Sequence, residues 1–349
     1  MLTCFDKDMD NQSEISCNRA VIEANFTLNT THGTEITLDS LVPNEVKEFV
    51  RQAGQRAIPA IAKNAKMLKA IDCAVKKVST RHQLIQGDSR FMQAIRDASV
   101  QLVLTSPPYW TLKKYPVQEG QLGLVEDYEV FLEELDKVWR HAFRILAPGG
   151  RLIIVVGDVC LSRKSHGSHV VFPLHASVQT HCRNIGFDNL APILWYKISN
   201  AQFEVQNGSK FLGKPYEPNA IIKNDTEYIL FQRKPGGYRS PSQAARILSI
   251  IPAECHHRWF QQIWTLGGAS TRHHPAPFPE ELAERLIRMF SFVGDTVIDP
   301  FMGTGTTNIS AAHWGRHSIG VEVEQAYFKA AHRRISQGIA QQAQLFVGD

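Results

Sequence analysis

A strand that runs into two prolines constrains this chain more than any other stretch. Val100-Gln101-Leu102-Val103-Leu104 is mostly apolar and β-prone, the composition of a buried strand. Thr105-Ser106-Pro107-Pro108-Tyr109-Trp110 follows directly. Neither proline can donate to a ladder, and Pro107 confines Ser106 to extended backbone. The strand therefore ends in a stiff bend that carries a hydroxyl and two aromatic rings. In open α/β sheets, ligands bind beyond the carboxyl ends of the strands. An ordinary Pro-Pro turn would look the same, so the rest of the chain has to separate the two readings.

The flanking pattern is that of an α/β domain. Residues 84–88 read as a short strand, 89–98 as a short helix and 127–146 as an amphipathic helix. Pro148-Gly149-Gly150 ends that helix, and 151–156 is a buried strand. Strand–helix–strand alternation implies a parallel sheet with helical crossovers. A helix over 170–185 closes at Gly186, and strands at 190–197 and 226–232 follow with no helix between them. That pair predicts an antiparallel strand at the sheet edge. Residues 279–290 are helical, 296–298 and 318–323 are strands, and a last helix runs to about residue 336. Residues 238–272 show no sheet pattern. Ahead of the main domain, 1–40 read as irregular, while 44–57 and 61–78 carry helical periodicity broken at Pro59. An N-terminal helical appendage is expected there.

Charge adds a partner class. The net charge is only +4, but residues 46–81 hold nine Lys/Arg against Glu48 and Asp72, and 199–272 hold nine against five Asp/Glu. Two basic segments suggest a polyanion. No apolar run approaches the ~20 residues of a membrane helix. The acidic, polar start is no secretory signal, and the six cysteines are scattered without a C-x-x-C pair. A reduced, cytoplasmic protein with no membrane partner is expected.

A second chemical centre lies at Asp299-Pro300-Phe301-Met302-Gly303-Thr304-Gly305-Thr306-Thr307. It joins a strand, a glycine turn and a helix start, and Glu322 ends the next strand about 20 residues on, the spacing of adenosine-cofactor sites. Gly303 and Gly305 would let backbone approach a ligand, and the helix N-terminus offers free amide donors. Glu322 can accept two ribose hydroxyls. The G-x-G-x-x-G pattern is absent, and no Lys follows the glycines as in a P-loop. A single-nucleoside cofactor with an anionic tail remains, and S-adenosylmethionine fits.

Taken together, the two centres resemble the DNA amino-methyltransferases that use S-adenosylmethionine, in the permuted group whose catalytic motif precedes its cofactor motif. Ser106-Pro107-Pro108-Tyr109 resembles the catalytic motif in its cytosine-N4 form; the adenine-N6 form has Asp in place of Ser106. Asp299–Thr307 resembles the cofactor loop, Ile319–Glu322 the ribose strand and Gly87-Asp88 the adenine-side turn. His274–Pro279, Leu146–Gly150 and Ile193–Lys197 resemble further motifs in the expected order. The resemblance spans about residues 82–336. It implies a Rossmann-like methyltransferase fold, circularly permuted, with a mostly parallel sheet, an antiparallel edge strand and the helical appendage. Four segments follow: the appendage (1–80), a catalytic half (81–198), an edge strand with target recognition (199–272) and a cofactor half (273–349).

The resemblance also assigns roles. Ser106, Pro107, Pro108 and Tyr109 are the expected catalytic residues. Asp88, Thr105, Phe278, Asp299, Pro300, Phe301, Gly303, Gly305, Thr306, Thr307 and Glu322 are the expected cofactor contacts. Tyr109, with Trp195 or Tyr196, would stack on a base flipped from duplex DNA; Trp195 could equally be core. Lys113, Lys114, Arg233, Lys234, Arg239, Arg246 and Arg258 are candidate DNA contacts, and the basic helices of 46–81 could add more. The paired histidines near Cys255 lack ligand spacing, so no metal is expected. The implied activity is cytosine-N4 methylation of double-stranded DNA, with a cognate restriction endonuclease as functional partner. An adenine-N6 enzyme and a catalytically silent DNA-binding relative are the alternatives.

Overall fold

The computed structural model describes residues 24–29, 37–113, 115–197, 224–268 and 278–344. Its strands are β1 (Ala24–Asn29), β2 (Arg81–Gln86), β3 (Val100–Thr105), β4 (Leu146–Val156), β5 (Val159–Leu161), β6 (Val170–Phe172), β7 (Asp188–Tyr196), β8 (Thr226–Arg233), β9 (Ile263–Thr265), β10 (Thr296–Asp299) and β11 (His317–Glu322). Nine form one sheet in the order β1-β2-β11-β10-β3-β4-β8-β7-β9, and β5 and β6 make a separate ribbon. The block β2-β11-β10-β3-β4 is parallel throughout.

This order places the site. From β3 the chain builds outward to β4; from β10 it builds the other way, to β11. β3 and β10 are neighbours, with Leu102 opposite Val297 and Val103 opposite Ile298. They form a topological switch point, where a crevice opens beyond the carboxyl ends. The Ser106 turn follows β3 and the glycine loop follows β10, so both open into that crevice.

Strand alternation sorts the core into two layers. Leu152, Ile154 and Val156 pack on Phe131, Leu135 and Trp139 of the helix Tyr128–Ile145. Ile153 and Val155 face the opposite layer with Leu282 and Leu286 of the helix Glu280–Phe290. The 128–145 helix starts where Asp127 accepts from the Val130 amide at 2.9 Å, a normal N-cap.

Several sequence expectations change. The antiparallel strand β8 is not at the edge. It lies between β4 and β7, antiparallel to both, and β9 pairs outside β7. Neither β9 nor the helices Gln243–Leu248 and Ala253–Trp259 were legible in 238–272, because each spans only one or two turns or a three-residue strand. β1 lies in the stretch expected to be irregular and pairs antiparallel with β2. Residues 89–98 hold only a single turn of tight helix, at Ser89–Phe91. Pro59 does not break the N-terminal helices. It sits in the first turn of Ala57–Ile61, where no amide is needed, and the break falls at Gly54 with φ +54°. Those helices share a core with Ile247, Leu248 and Val293. The basic appendage is therefore part of the packed protein, and removing it would strip that core.

Candidate active site

Thr105 ends β3, and Ser106 begins the turn. The Ser106 hydroxyl donates to Tyr109 Oη at 3.3 Å. Tyr109 Oη in turn lies 3.1 Å from Glu227 Oε2 and 3.4 Å from the Val155 carbonyl. Lys197 forms an ion pair with the same Glu227. Burial and the neighbouring Glu227 carboxylate push the Tyr109 phenol well above its usual range, so it stays neutral. Trp110 adopts φ +46°, which costs a bulky residue about 1–3 kcal/mol. Packing repays that strain. The indole NH donates to the Glu126 carbonyl at 3.1 Å, and the ring packs against Tyr128 and Phe172 at 5.1 and 4.8 Å. The turn is thus held from both ends.

Beyond the turn lies a cavity of about 380 Å³. Tyr109, Lys113, Asp158, Lys197, Asn224 and Glu227 are among the residues around it. Asp158 is fixed by His175 Nδ1 at 2.6 Å. Glu227 is a site residue the sequence reasoning missed. It stands at the start of an antiparallel strand, and only the direction of β8 brings that start to the edge where β3 ends.

A second, narrower cleft lies on the other side of the turn. Asp88, Ser89, Ser106, Pro108, Phe301 and Glu322 line it, together with Tyr115, Gly120, Val323 and Tyr327. Glu322 carries its chemistry. One carboxylate oxygen accepts from the Gly303 amide at 2.7 Å and the other from the Glu324 amide at 2.9 Å. Burial, with Asp299 and Glu324 adding to it, pushes its pKa up to about 7. Each carboxylate oxygen can accept again, so a dry acid faces the cleft with spare acceptor capacity. That pair of acceptors fits the ribose diol of the cofactor the sequence implied. The segment 115–122 folds over the opening, with Gln118 Nε2 on the Val323 carbonyl at 2.8 Å. The free space is about 40 Å³. The segment therefore narrows the entrance through which a nucleoside would pass.

Three expected cofactor contacts bond to one another instead. Thr105 Oγ1 donates to Asp299 Oδ1 at 2.6 Å, and Thr307 Oγ1 donates to Asp299 Oδ2 at 2.8 Å. All three are buried, and burial raises Asp299 to about 6. They clamp the end of β3 to the glycine loop, which is a positioning role. Thr306 Oγ1 is taken by Arg334 at 3.1 Å, and the Pro300 carbonyl by the Ser89 hydroxyl. A Cβ on Gly305 would lie 2.9 Å from Ile335 Cδ1, so this glycine serves helix packing as well as its φ of +83°. Phe278 is buried with Trp195 and Leu282 and does not line the cleft. Asp88 is gripped by Arg90 Nε at 2.9 Å and Nη2 at 2.6 Å.

The aromatic and basic candidates divide sharply. Trp195 is fully buried, and its indole NH donates to the Leu266 carbonyl at 2.9 Å. It is a core residue and offers no stacking face; strand alternation puts it in the lower layer. Tyr196 is half-buried and pairs with Thr226 at the catalytic edge. Lys113 lines the cavity, and Lys114 lies outside the described residues. Arg233, by contrast, pairs with Arg151 on β4, five residues from Val156. At about 3.3 Å per residue, that is about 16 Å from the catalytic edge. There Arg233 binds Asp188, and Lys234 donates to the Leu146 carbonyl at 2.7 Å. Arg239 pairs with Asp295, just before β10. Arg246 lines a cleft with Gly149 and Arg151, and Arg258 lies exposed beside His256 and His257 of that same cleft. Arg233, Lys234, Arg239 and Arg246 all lie toward the end of the sheet opposite the Ser106 turn.

His274 lies outside the described residues with most of its motif. Among the described residues, Glu280, Glu284 and His313 form a group with metal-ligand chemistry. The two carboxylates raise His313 to about 9, and Arg334 also bonds Glu280, so the group reads as an ion-pair cluster.

With this geometry in hand, comparisons with known proteins agree. Residues 100–333 match the N6/N4 DNA methylase family model. The chain is 37% identical to the type II methyltransferase M.MjaI of Methanocaldococcus jannaschii, over 71% of this chain and 89% of that one. It is 35% identical to M.MthZI of Methanothermobacter thermautotrophicus, over 74% and 78%. A Thermus thermophilus protein described as a DNA modification methylase, solved with S-adenosyl-L-methionine, superposes with a TM-score of 0.60 at 53% identity, covering 74% of this chain and 93% of that one. The cytosine-N4-specific PvuII DNA methyltransferase shares the fold, with a TM-score of 0.52 at 18% identity, over 75% and 93%. A helix long and apolar enough to cross a membrane is absent among the described residues. The buried switch-point clamp, the serine turn beside an acid-lined cleft and the family match over two-thirds of the chain lead to one conclusion: the chain belongs to the N6/N4 DNA methylase family.

Proposed function

We propose that this DNA methyltransferase moves a methyl group from S-adenosylmethionine to the exocyclic N4 amine of a cytosine flipped out of duplex DNA. The observation that carries the reading is Ser106. It is a neutral acceptor fixed at the switch point between a 380 Å³ cavity and the cleft of Glu322. The cofactor, when bound, supplies an electrophilic methyl group. The chain's own residues do the rest. Glu322 holds the ribose, and the 115–122 segment excludes water.

A cytosine amine is a poor nucleophile because its lone pair is delocalised into the ring. The Ser106 hydroxyl and the Pro107 carbonyl accept its two N–H bonds and favour a more tetrahedral nitrogen, by preorganisation and proximity. As the N–C bond forms, the methyl carbon's bond to the sulfonium sulfur breaks and its electron pair stays on sulfur, and one N–H bond must also break. Its proton passes to Ser106 Oγ, the Ser106 proton to Tyr109 Oη, and the Tyr109 proton to Glu227, along contacts of 3.3 and 3.1 Å. Glu227→Gln keeps the shape and removes the terminal acceptor. Its expected effect is a loss of about 10²-fold in single-turnover rate, the low end of general-base effects, with cofactor affinity unchanged. An unaltered rate would remove Glu227 from the proton path.

The type II relatives support placing this activity in a restriction–modification pair. Thr105, Asp299 and Thr307 then act as positioning residues, and Tyr109 as a wall of the base cavity. The reading is tested by incubating the full chain with methyl-labelled S-adenosylmethionine and plasmid DNA. Label is expected in the DNA; label absent from DNA would overturn it.

A further inference from the structure

A cleft of about 800 Å³ lies at the end of the sheet opposite the Ser106 turn. The N-terminal helices form one wall, the helix Ala253–Trp259 another, and Gln101, Gly149 and Arg151 the floor nearest the sheet. Five Lys or Arg side chains and two histidines line it, and no Asp or Glu does.

The charges are only partly answered. Arg239 is paired with Asp295. Arg288 lies on the Trp314 ring at 3.7 Å. Arg151 donates to the Gly149 carbonyl at 2.7 Å, and Arg246 to the Pro241 carbonyl at 3.3 Å. Among the described residues neither forms a direct ion pair, although Asp188 is near enough to act on Arg151, and Lys63 is exposed and forms none either. Burial holds Arg151 and Arg288 below the usual arginine range, and Arg233 adds to that at Arg151. A partly dry, concave site lined by cations that outnumber their carboxylate partners calls for an anion. Guanidinium groups favour phosphate oxygens, which they can grip two at a time.

The site is more than a charge patch. Ile58, Ile250, Phe290 and Phe292 supply an apolar floor. Tyr238 stands on the rim and is 85% exposed, so its ring face is open to a stacking partner. Phosphate contacts alone need no such floor, and the cleft lies about 16 Å along the strands from the Ser106 turn, where the proposed function places the target base. We infer that this cleft binds a nucleoside phosphate, with the base against Tyr238 and the apolar floor and the phosphates on Lys63, Arg151 and Arg246.

The test is calorimetric titration of the full chain with ATP while S-adenosylmethionine saturates the cofactor cleft. Binding at one site per chain is expected. Lys63 and Arg246 are both exposed, so the double variant Lys63→Glu/Arg246→Glu should fold. It is expected to weaken ATP at least tenfold and leave S-adenosylmethionine affinity unchanged. Tyr238→Ala should weaken ATP but not inorganic tripolyphosphate, and tripolyphosphate should bind more weakly than ATP. ATP binding abolished by S-adenosylmethionine would assign it to the cofactor cleft and overturn the inference. So would binding indifferent to the charge reversal, tripolyphosphate as tight as ATP, or displacement of ATP by duplex DNA.

Discussion

Ser106→Ala is expected to bind cofactor as the parent does and to transfer methyl groups about 10²–10³-fold more slowly, the cost of losing one preorganised polar group at a reacting centre. The hydroxyl has two duties here. It accepts an N–H bond of the amine, and it hands a proton to Tyr109 Oη at 3.3 Å. Alanine removes both while leaving the turn intact, because Pro107, Pro108 and the packed Trp110 set its shape. Ser106 and Glu322 both line the cofactor cleft, and the ribose acceptors are those of Glu322. Single-turnover rates with separately measured cofactor affinity distinguish the two duties from binding. Wild-type turnover would remove Ser106 from the chemistry.

Glu322→Gln is expected to act on the other half of the site. Hydrogen bonds to a charged acceptor contribute about 1.5–3 kcal/mol, so cofactor affinity should fall about 10- to 100-fold. Substitution also changes the pH dependence. The Glu322 carboxyl is raised to about 7, and its ionised form is the better acceptor for two hydroxyls. Parent affinity should therefore fall as pH drops through about 7 and level off above it, while the Gln variant stays flat. Stability runs the opposite way. A carboxyl raised above its unfolded value of 4.5 favours the folded chain when protonated, so that contribution is lost as pH rises from about 4.5 to about 7. Asp299, raised to about 6, acts in the same direction. The cofactor-free protein should melt lower at pH 7.5 than at pH 5 by these two groups. A parent affinity indifferent to pH would contradict the role given to Glu322.

What was legible in the sequence was short in range. Two prolines after an apolar run identify the end of a strand without knowledge of its neighbours. The glycine loop and the acid 15 residues past its end are likewise local, and both motifs stand where that logic put them, at the switch point between β3 and β10. What failed depended on strand direction. Arg233 and Lys234 end an antiparallel strand, so they fall at the far edge, while Glu227, at its start, falls beside Tyr109. Composition does not reveal which way a strand runs. Trp195 failed by parity: its neighbour Tyr196 faces the other side, and a one-residue shift exchanges them. Asp299 reads as a ligand contact by motif, yet two threonines separated from one another by about 200 residues take both its oxygens. The segment 115–122 gave no signal of covering a cleft, because the residues it covers, Val323 and Tyr327, lie about 200 positions away.

The central claim is the identity of the acceptor atom. The direct measurement is mass spectrometry of nucleosides digested from DNA that the full chain has methylated. N4-methylcytosine is the predicted product, formed about 10²–10³-fold more slowly by Ser106→Ala. N6-methyladenine as the sole product would contradict the account, because the neutral acceptor at position 106 would then not select cytosine.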